Sequence, residues 1–113
     1  MITIYHNPRC SKSREGLQVL EQQDKPFTVV KYLSEEFTKN DLAALISTMG
    51  IKPIELVRQN ETIWKEQFKG AEYSDDEVID ILLQHPNLIE RPIVSNGIAA
   101  VIARPADRMN SLL

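Results

Sequence analysis

The 113 residues suit one domain around one core, since a second core could hardly be filled at this length. Apolar residues make up 42% and charged ones 26%, an ordinary globular balance, and no apolar run approaches the roughly 20 residues of a membrane span. A net charge of −3 argues against a surface built to track nucleic acid, and the start of the chain has no basic region followed by a long apolar stretch, so the cytoplasm is expected.

"ITIY" at residues 2–5 predicts a first strand, followed by the loop "HNPRCS" and a helix from Ser11 to about Gln23. Pro8 marks the break, because it restricts Asn7 to extended geometry and has no N–H for a ladder. "KPFTVVKYL" predicts the second strand, and strand, helix, strand implies a parallel pair with a right-handed crossover. Next, Thr38 is placed as an N-cap with Asp41 at N3, Leu42, Leu45, Ile46 and Met49 form one stripe, and Gly50 is the stop. Pro53 predicts the first turn of a short helix carrying Arg58, and "ETIWKEQF" predicts another. "SDDEVIDILLQHP" opens with a Ser74/Glu77 capping box and stops before Pro86.

"RPIVSNGIAAVIARP" holds two apolar runs separated by Asn96-Gly97, which predicts a type I′ hairpin turn with positive φ at both residues. Pro105 then opens a last helix through "ADRMNSLL". The order β-α-β, several helices, β-β-α is that of an α/β, thioredoxin-like sheet with a helical insertion, at about 38–85, between its halves.

Cys10 is the only cysteine, and this order puts it at the N-terminus of the first helix. That end carries partial positive charge and unpaired N–H groups, so it favours thiolate over thiol and can hold an oxyanion. Cys10, Ser13 and Arg14 fall at three- and four-residue spacing, so thiol, hydroxyl and guanidinium can share one side of the first turn. Ser13 stands where a C-x-x-C motif would have its second thiol, and Gly16 where the phosphate loop of thiol phosphatases would have arginine. A lone thiol that carries out a two-electron reduction must borrow a second thiol, and glutathione is the obvious donor.

Other residues have plainer readings beside the functional one. His6 could raise the local positive potential or simply hold the loop through a hydrogen bond. Trp64 and Phe68 read as packing, His85 as a helix end, and "SDDE" as helix capping rather than a metal site. Gly16 costs a helix about 1 kcal/mol relative to alanine, and a close approach between helix and sheet would explain it. Arg91-Pro92 could be a surface arginine beside a strand-opening proline; in a thioredoxin-like arrangement it faces the cysteine, and a cis bond there would set the guanidinium near the thiol.

"IYHNPRCSKSR", "LVRQN", "QHPNLIERPIV" and "ARPADR", in order over residues 2 to about 108, together resemble the glutaredoxin-coupled arsenate reductase family, particularly its short bacterial members. The resemblance implies the thioredoxin-like fold, with Cys10 as the nucleophile that attacks arsenate and Arg58, Arg91 and Arg104 as the anion-handling arginines. His6 matches the family histidine that assists the thiol, and Ser13 and Arg14 are further candidates for assistance. Glutathione would be the co-substrate and glutaredoxin the partner that restores the cysteine, with no bound cofactor, no metal and a monomeric chain. Two other readings share the fold: a Spx-type regulator that binds RNA polymerase, and a glutathione-linked reductase of another substrate. The absent C-x-x-C switch and the retained arginines weigh against the regulator.

Overall fold

The computed structural model describes residues 1–113. Two compact units account for them, one made of residues 1–36 and 91–113, the other of residues 37–90.

In the first unit, β1 (Ile2–Tyr5) buries alternate residues, Ile2 and Ile4. A loop leads into α1 (Ser11–Glu21), whose Ser13, Gly16 and Leu20 are buried at the three- and four-residue spacing of a single helix face. β2 (Phe27–Val30) runs parallel to β1. β3 (Ile93–Ser95) and β4 (Ala100–Ile102) complete a sheet of order β2-β1-β3-β4, with β3 antiparallel to both neighbours. This is the mixed sheet of the thioredoxin-like class. Its core joins Ile2, Ile4, Leu20, Val94, Ala103 and Met109.

The hairpin between β3 and β4 departs from the expected type I′ turn. Ser95 pairs with Ala100, which leaves four residues in the loop, and Gly97 at φ 92° is its only residue with positive φ. Asn96 is used for its side chain instead. Its Oδ1 accepts from the N–H groups of Ile98 and Ala99 at 2.9 and 2.8 Å, closing the loop locally.

The closing segment also differs, since Ala106–Leu112 is a 3-10 helix and Pro105 precedes it as the cap with ψ 164°. The apolar spacing explains this. Ala106, Met109 and Leu112 recur every third residue and all pack on the core, which suits three residues per turn rather than 3.6.

In the second unit, α2 (Lys39–Met49) begins with a complete capping box. Asp41 N–H donates to Thr38 Oγ1 at 3.1 Å, Thr38 N–H donates to Asp41 Oδ2 at 3.0 Å, and Gly50 ends the helix in the left-handed region. A 3-10 turn at Pro53–Leu56, α3 (Thr62–Gln67), α4 (Asp75–Gln84) and a second 3-10 turn at Pro86–Leu88 follow. Ser74 and Glu77 box the start of α4 in the same way. Trp64 is buried and stacks at 5.6 Å between ring centres on Phe68, which in turn meets His85 edge-on.

Arg58 lies outside the short helix expected to carry it. That turn stops at Leu56, because Val57 and Ile89 form an antiparallel bridge and draw their neighbours into extended pairing. Arg58 N–H donates to Leu88 O at 2.7 Å, and Glu90 N–H to Leu56 O at 2.9 Å.

Candidate active site

Strand register assembles the site. Tyr5 pairs with Ile93, so the loop that continues β1 and the residues before β3 emerge at the same end of the sheet. Ile93 pairs with Ile102, and Ala103 N–H donates to Pro92 O at 2.8 Å, so Arg91 precedes and Arg104 follows the paired residues at that end. Cys10 is the N-cap of α1 at the end of the same loop. The fold thus brings Arg91 to the thiol across some eighty residues of chain, with Arg104 following β4 at the same end of the sheet.

The loop is held by its own polar groups. Cys10 N–H donates to Asn7 O at 3.0 Å, and Arg9 N–H donates to Asn7 Oδ1 at 3.0 Å. Ser13 Oγ accepts from Asn7 N–H at 2.9 Å and lies 2.6 Å from His6 Nδ1. Ser13 is fully buried, so its own proton needs an acceptor, and His6 Nδ1 is the partner within reach. That bond requires a neutral ring with its proton on Nε2. Burial pushes the His6 pKa down, and the charges of Lys31 and Arg14 push the same way, against a backbone hydrogen bond at Ser13 and the charge of Glu21. The lowered pKa favours the neutral ring, and through Ser13 His6 ties the end of β1 to the first turn of α1. Arg14 has a similar place, its Nη1 donating to Pro8 O at 2.9 Å.

Opposing forces act on the thiol. Burial of Cys10 raises its pKa, but a hydrogen bond from the Arg91 side chain, the backbone N–H groups of Ser13 and Lys12, and the Arg91 charge outweigh it, so the net shift is downward. The shift favours the thiolate, the form of a half-buried cysteine that can act as a nucleophile. The Arg91–Pro92 peptide is cis, and so is Arg104–Pro105. Pro92 is buried against Gly16, where an added Cβ would come within 2.8 Å of Pro92 Cγ, and this is the close helix-to-sheet contact that the glycine allows.

Arg58 belongs to the other unit. There its Nη1 lies 2.7 Å from Glu61 Oε1 and its Nε 3.8 Å from Glu90 Oε1. No group of three or more His, Cys, Asp or Glu side chains is placed to hold a metal ion, and no helix is long and apolar enough to cross a membrane.

Two contributors escaped the sequence reading. One is Lys31, whose charge acts on His6 from the end of β2 and which the sequence reading took for part of the second strand. The other is Asn7, buried at 4% exposure, whose signal was the Asn-Pro pair with its habit of bonding to nearby backbone.

Comparison with known proteins places the chain in a family. The chain is similar to the arsenate reductase of Escherichia coli, 37% identical over 113 residues that span 99% of this chain and 80% of that one. It is 34% identical to the arsenate reductase of Haemophilus influenzae over 114 residues, 98% of that protein. Among solved structures, an arsenate reductase from Vibrio cholerae superimposes with a TM-score of 0.91 at 38% identity, covering 99% of this chain and 97% of the other. Residues 5–112 match the ArsC family, and the chain belongs to that family.

Proposed function

We propose that this protein reduces arsenate by thiol chemistry at Cys10. The observation that carries the reading is the hydrogen bond from Arg91 to a thiol whose pKa is lowered. The relatives named arsenate reductase support the substrate.

In the proposed reaction the Cys10 thiolate attacks arsenic, an S–As bond forms, and one arsenate oxygen leaves as water after protonation. Arg91 and Arg104 offer guanidinium forks to the remaining oxygens and offset the charge that gathers as thiolate meets oxyanion. Arg58 is assigned a part in anion handling on its motif match alone. Glutathione thiolate then attacks the Cys10 sulfur. An S–S bond forms, the S–As bond breaks, and its electron pair leaves with arsenic, which departs as arsenite. Two thiols are oxidised to one disulfide, and arsenic goes from the pentavalent to the trivalent state. Glutaredoxin reduces the mixed disulfide and restores Cys10. His6, Ser13 and Arg14 hold the loop in which the thiol sits, and no step uses a bound cofactor. The cytoplasm, where thiols stay reduced, is the proposed compartment.

The test is NADPH oxidation with arsenate, glutathione, glutaredoxin and glutathione reductase, beside a Cys10→Ser control. Turnover that requires both arsenate and Cys10 is expected. Absence of turnover in a folded protein whose thiol still alkylates readily would remove arsenate as substrate.

A further inference from the structure

We propose that Arg9, Lys12 and Lys31 form a cationic rim around Cys10 that selects small carboxylate-bearing thiols and disulfides, the class of glutathione, as exchange partners. The inference rests on the thiol chemistry above and adds the residues that choose its partner.

Residues 9–14 contain three cations and no acid, in a chain whose net charge is −3. Arg9 immediately precedes the thiol, with its side chain exposed and no carboxylate paired to it. Lys12 lies two residues beyond, also exposed, and meets only Glu15 at 3.5 Å, a surface contact that leaves most of its field intact. Arg14 adds charge while its guanidinium is fastened to Pro8 O.

Lys31 arrives from the neighbouring strand. His6 N–H donates to Val30 O at 2.8 Å, which brings the end of β2 to the cysteine loop, and the Lys31 charge is felt at His6. Two acids face that side: Glu35, one of whose carboxylate oxygens accepts the Lys31 backbone N–H at 2.6 Å, and Glu21, whose charge acts at His6 more weakly than that of Lys31.

The small thiol peptides of the glutathione class carry two carboxylates and one ammonium, and their disulfides are doubly negative. A cationic rim raises the encounter rate of such molecules and lowers that of cationic ones. The exchange itself is balanced. The Cys10 thiolate attacks one disulfide sulfur, a mixed disulfide forms, and the other half leaves as thiolate with no net electron transfer to any third group.

The experiment measures second-order rate constants of Cys10 with three probes: glutathione disulfide, neutral 2-hydroxyethyl disulfide and cationic cystamine. At low ionic strength, glutathione disulfide is expected to react about tenfold faster than cystamine, and at about 1 M salt the rates should converge. The double variant Arg9→Gln, Lys31→Gln should reduce the glutathione disulfide rate at least about threefold relative to the neutral probe. The neutral probe corrects for any change in the thiol's own ionisation and reports that the loop is folded.

A preference indifferent to salt and to both substitutions overturns the rim, as does a thiol that reacts faster with cystamine or with none of the probes. No arsenate enters the assay. Loss of the reductase reading and loss of the rim are therefore separate results.

Discussion

Ser13 Oγ lies 2.6 Å from His6 Nδ1 while it also accepts the Asn7 N–H, so one buried hydroxyl closes two hydrogen bonds of the cysteine loop. Ser13→Ala would strand both partners in a buried loop, at about 2–4 kcal/mol on the usual cost of unsatisfied buried groups. Urea denaturation checks the value. A variant as stable as the parent would show that the pairing contributes nothing.

The lowered His6 pKa gives the fold a pH dependence with a definite sign. The unfolded chain binds a proton at histidine near its ordinary value of about 6.5, while the folded chain binds it only at lower pH. The His6 contribution is thus fully present above the ordinary value and is lost as pH falls through the lowered folded one. Denaturation midpoints should drop between about pH 7 and pH 5. His6→Asn, whose amide can reach Ser13, should flatten that drop.

Arg91 is the counterweight to burial at the thiol. Arg91→Ala should move the pH midpoint of iodoacetamide alkylation upward and slow the reaction at neutral pH, with Arg91→Lys in between because it keeps charge but loses the fork. An unmoved midpoint would mean that the helix N–H groups act alone.

Gly16 separates two rules that disagree. Helix propensity predicts a gain of about 1 kcal/mol for Gly16→Ala, whereas the 2.8 Å approach to the stiff ring of Pro92 predicts a loss of about 1–3 kcal/mol. Loss should win, read as a lower melting temperature. A stabilised variant would refute the contact.

On the proposed reaction, Arg91→Ala and Arg104→Ala should each lower kcat/KM for arsenate by about 10²-fold, the scale of removing one donor to developing charge. Arg58→Ala should do likewise. If it leaves turnover intact, its ion pairs with Glu61 and Glu90 are its whole role.

Local signals were legible and register was not. The helix from Thr38 to Gly50 could be read because cap, stripe and stop all lie within it. The second strand was read too long, since its extent is set by its partner: four residues of β1 pair with Phe27 through Val30 and leave nothing for Lys31 onward. Asn96-Gly97 misled for the same reason, the loop length being fixed by Ser95 opposite Ala100. At the site, Cys10 announced itself by position. The approach of Arg91 to Cys10 depends on which residue faces which across two strands, information that no single segment contains.

That register also makes the thiol a reporter of completed folding. Residues 6–10 lie near the start of the chain, while the guanidinium that activates them comes from residue 91 and the amide that fixes Pro92 from residue 103. A nascent chain that has emerged only through α4 carries the cysteine but not Arg91, so its sulfur should behave as an ordinary thiol, slower toward oxidants than in the finished protein.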